Sequence, residues 1–323
     1  MTRSRWGLLT VAAVFVAAAS TIVMILLPAW STERRDARIL ADVGIDIWDN
    51  NRVSTIPAEV PGRTAIQMDP LFRTVLSVNA AGLPIKDADV QVLARLEHLG
   101  ALNLSKTEIT DRALPNLAVP QYLCVLDLTD TRVTEDGLEP LVGMPQLTSL
   151  RLGGIRIGET GAKHLSGMKN LRYLSLDDTG LSDAALAQIA DISSLELLSL
   201  RRTRVSDRSM ERVPAWTQLK YLYLEDTAIT DTSLPTLAKL TSLRAVRLDR
   251  TRVSDEGMKT IATFSNLVEL SLTGTQVGDE GVLRLAGTRI AKLYISGTRV
   301  TAAGLSKLRT AMPGCFIVAA DVR

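Results

Sequence analysis

The sequence is poor in the residues from which catalytic and metal sites are built. It holds two histidines and two cysteines among 323 residues. His98 falls in a turn before a predicted strand, and His164 falls on a predicted helix on the other side of its unit. The sequence contains no metal-ligand spacing, no nucleophile elbow and no glycine-rich phosphate loop. These absences predict a protein that is not an enzyme and that has no cofactor or metal.

An excess of charge of one sign is also lacking. Lys plus Arg number 37 and Asp plus Glu number 35, so the whole chain has no electrostatic drive toward nucleic acid. Aromatic residues make up 4% of the chain, which predicts a core of aliphatic side chains. Cys124 and Cys315 are predicted to lie roughly 35–40 Å apart, whereas a disulfide needs Cα atoms within about 7 Å. We therefore expect both thiols to stay free within one molecule.

The chain has a single long hydrophobic run, residues 7–29, which is 23 residues long and uncharged. As a helix it spans about 34 Å, enough to cross a hydrocarbon core of about 30 Å. Trp6 and Trp30 stand at its two ends, as in an aromatic belt. Residues 1–32 are thus predicted to be a tail and a transmembrane signal-anchor. The alternative is a cleaved signal peptide ending near Ala17–Ala19, but cleavage there would leave the apolar segment Ile22–Leu27 on the mature protein.

Arginines on both sides of the run leave the orientation of the anchor open to argument. Arg3 and Arg5 precede the run, and Arg34, Arg35 and Arg38 follow it among acidic residues, so the positive-inside count does not decide. A short basic tail before a long carboxyl-terminal domain usually leads to translocation of that domain. We therefore expect a single-pass membrane protein with its main domain outside the cytoplasm.

A threonine returns every 24 residues through most of the chain, with Leu83 and Ile155 in two of the slots and the last threonine one residue early. We call each slot a ladder position, and the threonines are Thr107, Thr131, Thr179, Thr203, Thr227, Thr251, Thr275 and Thr298. Ten copies of one unit fill residues 75–310, and a fixed period of this length indicates a stacked solenoid. Residues 33–74 are predicted to form a juxtamembrane spacer and an N-terminal cap, and residues 311–323 a C-terminal cap.

Each unit predicts one strand and one helix. In one unit Val246 and Leu248 alternate with polar residues, which is typical of a strand with one buried face. Met258 and Ile261 are three apart, which is helix spacing, and Ser254 before Asp255 is typical of a capped helix start. The acid recurs in successive units, and we interpret it as a capping column and not as a calcium site. The threonine hydroxyl is expected to bond to the backbone of the next coil, and the stack is expected to be looser at Ile155, where the hydroxyl is missing.

The pattern Leu243-x-x-Val246-x-Leu248-x-x-Thr251 resembles the leucine-rich repeat family. The acid-x-Gly helix start is similar to the short bacterial repeats of the ribonuclease-inhibitor-like and F-box-associated type. The resemblance covers roughly three quarters of the chain. It implies an α/β fold: a curved right-handed solenoid with parallel strands on its concave side and helices on its convex side. It also implies that a partner binds on the concave side.

The exposed strand positions carry the candidate binding residues. They lie six, four and two residues before each ladder position, and we call this surface the strand face. Tyr221 and Tyr223 are two apart on one strand and so point to the same side, with Arg247 about 5 Å away on the next strand. Tyrosine and arginine are common anchors in binding sites, although tyrosine also suits an exposed strand. The candidate residues are Tyr173, Tyr221, Tyr223, Glu225, Arg247, Asp249 and Tyr294.

Charged columns run along the same units. Opposite charges alternate between neighbouring strands at Asp178, Arg202, Asp226 and Arg250, and again at Asp177, Arg201 and Glu225, which predicts ion pairs of about 0.2–1 kcal/mol each. Directly after the ladder position stands a basic rim, formed by Arg132, Arg156, Arg204, Arg252 and Arg299. Such a rim either meets an anionic partner (phosphate, glycan or lipid head group) or, more often, pairs with neighbouring acids of its own structure.

These patterns predict a membrane-anchored, non-enzymatic scaffold that recognises a protein, a peptide or an envelope polymer on the strand face and contacts the bilayer through residues 7–29. A second hypothesis is a substrate-recognition adaptor of a protein-modification complex, such as an F-box-linked ubiquitin ligase. It requires cytosolic repeats and a helical docking module, and no such module is visible in the sequence before residue 75. A purely structural role in the cell envelope is a third possibility.

Overall fold

The computed structural model describes residues 65–68, 75–211 and 215–320. The predicted anchor at residues 7–29 and most of the predicted N-terminal spacer lie outside the described residues. Within the part of the chain that is described, no helix is both long enough and apolar enough to cross a bilayer.

The described residues form one sheet of twelve strands that follow one another in chain order. The first two strands are antiparallel, and each later strand is parallel to its neighbours. The strands are β1 (Ala65–Met68), β2 (Val75–Asn79), β3 (Ala101–Asn103), β4 (Val125–Asp127), β5 (Ser149–Arg151), β6 (Tyr173–Ser175), β7 (Leu197–Ser199), β8 (Tyr221–Tyr223), β9 (Ala245–Arg247), β10 (Glu269–Ser271), β11 (Lys292–Tyr294) and β12 (Phe316–Val318).

Ten helices cross between successive parallel strands in the described part of the chain. Three of them, α2 (Leu114–Leu117), α3 (Glu139–Val142) and α7 (Leu234–Leu237), start with a 3-10 turn and carry proline in their first turn, where proline loses no helical hydrogen bond. The helices are α1 (Asp87–Leu93), α2 (Leu114–Leu117), α3 (Glu139–Val142), α4 (Glu159–Gly167), α5 (Asp183–Ile189), α6 (Asp207–Met210), α7 (Leu234–Leu237), α8 (Asp255–Ile261), α9 (Asp279–Leu283) and α10 (Ala302–Ala311).

The strand register equals the sequence period. Leu102 pairs with Leu126, and Leu126 pairs with Leu150, so each coil places the same column at the same height. The predicted parallel stack is confirmed. The unit with Ile155 keeps this register on both sides and buries Ile155 to 2% exposure, so the looser stack expected there is not seen.

Buried aliphatic side chains fill the space between the sheet and the helices. Each coil contributes alternate strand residues and one face of its helix: Val246, Leu248, Met258 and Ile261 are all at most 1% exposed. These side chains belong to one continuous hydrophobic cluster that runs along the stack. Because a single coil buries too little surface alone, the stability of each coil depends on its neighbours.

The threonine hydroxyls do not link one coil to the next, and that prediction was wrong. Thr227 Oγ1 donates to the carbonyl of Leu224, three residues earlier in its own coil, at 2.6 Å. The ladder threonines from Thr107 to Thr298 share this bond. The reason is local, since a short hydroxyl at a tight turn reaches the carbonyl three positions back more readily than the neighbouring coil.

The column of acids at the helix starts links the coils instead. Asp231 accepts hydrogen bonds from the backbone N–H of Ser254 at 2.9 Å and from its hydroxyl at 2.6 Å, both in the next coil. Ser254 Oγ in turn accepts from the N–H of Glu256 and caps α8, as predicted. The same pair of bonds joins Asp87 to Thr110, Asp111 to Thr134, Asp183 to Ser206, Asp207 to Thr230 and Asp279 to Thr301.

Candidate functional site

The centre of the candidate site is Tyr223, on the strand face of β8. The guanidinium carbons of Arg201 and Arg247 each lie 5.0 Å from the centre of its ring. Arg247 stands opposite Tyr223 on β9, and Arg201 follows β7 on the other side. Cations within about 6 Å of a tyrosine ring are attracted to its face, so the two arginines stabilise the position of the ring between them.

A buried carboxylate lies beside this ring. Glu225 is 6% exposed, and its Oε1 forms an ion pair with Arg201 Nε at 3.0 Å. Its second oxygen, Oε2, is buried without a hydrogen-bond partner. Burial raises the pKa of Glu225 above the usual range, against the opposing effect of the nearby arginines. Burial also raises the pKa of the Tyr223 hydroxyl, which therefore stays protonated at neutral pH.

Other acids around the ring are held by their own partners. Asp249 is 8% exposed and accepts bonds from the Ser271 hydroxyl and from the backbone N–H of Thr273, the latter at 2.8 Å. Glu269 accepts from Arg247 Nη2 at 3.1 Å. The buried Nε of Arg247 has no hydrogen-bond partner. The outward side of the cluster thus offers guanidinium donors and tyrosine hydroxyls more than free carboxylates.

The structure brings together five of the seven predicted residues: Tyr221, Tyr223, Glu225, Arg247 and Asp249 lie on two neighbouring coils. The other two lie farther along the same face. Tyr173 is two strands from Tyr221, and Tyr294 is two strands from Arg247.

Arg201 belongs to the site but was not among the predicted residues. Its signal in the sequence is its place two residues before Thr203, in the same column as Glu225 and Asp249. The sequence predicted Glu225 and Asp249 of that column as binding residues, but it assigned Arg201 only to the structural ion pairs.

The predicted ion pairs between neighbouring strands are confirmed for three pairs. Arg202 Nε donates to Asp178 at 2.6 Å, and Arg250 Nε donates to Asp226 at 2.6 Å, each through a two-pronged contact. These arginines lower the pKa of both aspartates. The third pair is Arg201 with Glu225. Asp177 departs from the pattern, since it accepts from the Ser199 hydroxyl and from the backbone N–H of Arg201.

A second charged group lies at the start of the strands. The carboxylate of Glu196 accepts a hydrogen bond from Lys220 Nζ at 2.7 Å and also forms an ion pair with Arg172. Hydrogen bonds from Lys220 and then Arg172 lower the pKa of this carboxyl, which is the opposite of the shift at Glu225.

Two further observations concern sites of reaction. Cys124 and Cys315 are both free thiols, as the sequence predicts. Within residues 65–68, 75–211 and 215–320, no group of three or more His, Cys, Asp or Glu side chains is placed to hold a metal ion.

Comparisons with known proteins find leucine-rich repeats in part of the chain. A family model described as Leucine Rich repeat matches residues 239–262 and 265–286. A search of curated proteins finds no match. The ectodomain of the Arabidopsis receptor kinase HAESA, solved with a peptide hormone ligand, is similar over 84% of this chain and 46% of its own, with 17% identity and a TM-score of 0.55. This chain therefore spans less than half of that ectodomain.

Two solved internalins of Listeria monocytogenes are also similar. Internalin C2 is matched over 76% of this chain and 80% of its own, with 18% identity and a TM-score of 0.43. Internalin F is matched over 78% and 91%, with 19% identity and a TM-score of 0.44. The parallel sheet with its crossover helices has the fold of a leucine-rich-repeat solenoid, and two of its coils match the repeat model.

Proposed function

We propose that this protein is a single-pass membrane protein whose leucine-rich repeats lie outside the cytoplasm and bind a protein or peptide ligand on the strand face, without enzymatic activity. The observation that carries the proposal is the cluster of Tyr221, Tyr223, Arg201, Arg247 and Glu225. Tyrosine and arginine side chains are enriched among the few residues that dominate binding energy at interfaces. Here the arginines already lie against the tyrosine ring, so less conformational entropy remains to be lost on binding.

The geometry of the cluster favours binding over the simpler explanation that tyrosine suits an exposed strand. Tyr223 is held between two arginines, and Glu225 and Arg247 each keep a buried polar atom without a partner. Unpaired buried polar atoms are costly and uncommon in folded proteins, so two of them beneath the strand face call for a reason other than stability. The HAESA ectodomain holds a peptide hormone ligand, so this kind of fold accommodates a peptide.

The first test is capture of a ligand from a cell-envelope extract by the full-length chain in detergent. Replacing Tyr221 and Tyr223 together with alanine should weaken capture by roughly 30-fold, as expected for a pair of anchoring residues. Tyr122→Ala is the matched control, because Tyr122 is 57% exposed and stands outside the strand face. Protease treatment of the extract should abolish capture. Capture that survives protease points to an envelope polymer, and an unchanged double variant removes this cluster from the proposal.

The second test concerns the membrane. Protease added outside intact cells should digest the repeats, and the mature chain should keep residues 7–29 by mass spectrometry of its N-terminal peptides. Loss of that segment would show a cleaved signal peptide in place of an anchor. Repeats protected on the cytoplasmic side would contradict the proposal and favour the adaptor of a protein-modification complex.

A further inference from the structure

The basic rim differs from the other charged columns because most of its arginines have no acidic partner. Arg132 forms an ion pair with Glu108 at 3.9 Å. In the described part of the chain the other four, Arg156, Arg204, Arg252 and Arg299, form no ion pair, and their side chains are exposed. The expectation that the rim arginines form ion pairs with neighbouring acids of their own structure is therefore wrong for these four residues.

The backbone is fixed at three of the four unpaired arginines of the rim. The N–H of Arg204 donates to Leu181 in the preceding coil at 3.0 Å, and Arg252 and Arg299 make the equivalent bonds at 3.1 and 2.9 Å. These bonds belong to short parallel bridges between coils, outside the main sheet. The side chains of these three arginines therefore extend from a fixed backbone along one edge of the solenoid. This favours binding because the backbone loses little conformational entropy when a ligand binds.

Unpaired arginines and small residues alternate along this edge. Gly180 separates Arg156 from Arg204, and Ala228 separates Arg204 from Arg252. Gln276 then stands before Arg299. Two coils of a parallel stack span about 10 Å, so the unpaired arginines start about 10 Å apart.

Where the intervening residue is glycine, the edge opens into a cleft. The cleft is lined by Arg156, Gly180, Ser182 and Arg204. Asp178 also lines it, but Arg202 holds that carboxylate. The cleft therefore has one neutralised acid and two free guanidinium groups.

We propose that the basic rim binds a linear acidic polysaccharide whose anionic groups recur at every second sugar ring. Two pyranose rings of an extended chain have nearly the length of two coils, so successive anions meet successive unpaired arginines, and the sugar rings pass over Gly180 and Ala228. Guanidinium groups bind carboxylate through paired hydrogen bonds. This surface is separate from the strand face, so the inference does not depend on the proposed peptide site.

The spacing disfavours other polyanions. Side chains on one face of an extended peptide recur at about 7 or 13 Å, which does not match the arginines. Phosphates of a nucleic acid strand recur at about 3.4 Å along a duplex, so only every third phosphate would meet an arginine and the phosphates between them would stay unpaired. A helical peptide with acids seven residues apart repeats at about 10.5 Å, so it serves as a competing probe.

The test uses a fluorescent hyaluronan decasaccharide, which carries one carboxylate per two rings, and the full-length chain in detergent at low salt. Fluorescence anisotropy should show binding that weakens as ionic strength rises. A chitin oligosaccharide with the same number of rings and no charge should not bind. Arg204→Ala should lower affinity by about 2- to 5-fold, the range for an exposed charge pair.

The deciding variant keeps the charge and breaks the spacing. Arg204→Ala combined with Ala228→Arg moves one arginine by one coil, between two exposed positions whose backbone N–H groups make equivalent bonds. Its affinity should be as low as that of Arg204→Ala alone. Affinity equal to that of the unchanged chain would overturn the proposal, because net charge would then suffice. The absence of hyaluronan binding, equal binding of chitin, or tighter binding of the acidic helical peptide would also overturn it.

Discussion

Replacing Gly257 with alanine tests whether the acid column holds the coils together. Gly257 lies in the first turn of α8, above Asp231 of the preceding coil. A Cβ at this position would stand 2.2 Å from Asp231 Oδ1 and 2.6 Å from Leu234 Cδ1. Carbon atoms do not approach oxygen or carbon so closely, so Asp231 would have to move. Its two bonds to Ser254 would then lengthen or break.

The expected cost follows from three terms. Overpacking a tight site costs about 1–3 kcal/mol, and each hydrogen bond to a charged carboxylate contributes about 1.5–3 kcal/mol. Alanine stabilises a helix by about 1 kcal/mol relative to glycine, which offsets part of the loss. Because Asp231 can keep one bond by rotating, we expect the free energy of unfolding to fall by about 2–4 kcal/mol.

The assay is urea unfolding of the full-length chain in detergent, together with hydrogen exchange of the Ser254 amide. Gly143→Ala is the matched control, since its Cβ would meet nothing closer than Pro140 O at 3.8 Å and its φ is −77°. We expect that change to be neutral or to stabilise by up to about 1 kcal/mol. Equal effects of the two substitutions would refute the reasoning. So would a Gly257→Ala cost that is not reduced once Asp231→Ala has removed the carboxylate, because the two changes should be strongly coupled. The close contact with Leu234 Cδ1 is present in both backgrounds and cancels in this comparison.

Three predictions concern single side chains. Glu196→Gln should lower the thermal midpoint at pH 7, because a lowered folded pKa contributes stability above about pH 4 that is lost as pH falls through the folded pKa. Glu225→Gln should keep or raise that midpoint, because a raised folded pKa costs stability as pH rises from about 4 through the folded pKa. Thermal melts from pH 3 to 8 that show the same sign for both would contradict this assignment. Thr227→Val should cost about 1–2 kcal/mol by urea unfolding, with faster hydrogen exchange confined to its own coil, whereas faster exchange in the next coil would contradict the observed bond to Leu224.

The period of the sequence was enough to predict the parallel stack, for a geometric reason. In a solenoid the offset between paired strands is the repeat length itself, so the recurrence of leucine at Leu102, Leu126 and Leu150 already states the register. The same recurrence places Tyr223 beside Arg247. Predictions of which repeat positions lie side by side on neighbouring strands are therefore reliable for this fold.

Predictions that depend on which atom a polar side chain reaches were less successful. A threonine hydroxyl has acceptors both in its own coil and in the next, and the periodic pattern is the same for either choice. The acid column did carry a signal, since Asp231 stands 23 residues before Ser254, one short of the period, and so lies beside it in the stack. The glycine two residues after the next acid, Gly257, marks the space that Asp231 occupies. The burial of Glu225 could not be predicted, because it depends on how Arg201 and Tyr223 pack over it.

The residue just before each ladder position adopts the left-handed backbone conformation along the stack. Which residue type fills this position bears on function. Glycine fills this position in four coils, at Gly82, Gly154, Gly274 and Gly297, whereas Arg202 (φ 51°) and Arg250 (φ 54°) fill it in two others. A left-handed arginine costs about 1–2 kcal/mol, and its exposed ion pair returns at most about 1 kcal/mol. Glycine would therefore be at least as stable there, so stability does not explain the arginines. They stand in the coils on either side of Tyr223, and a charged border around a half-buried aromatic anchor is the usual composition of a binding surface.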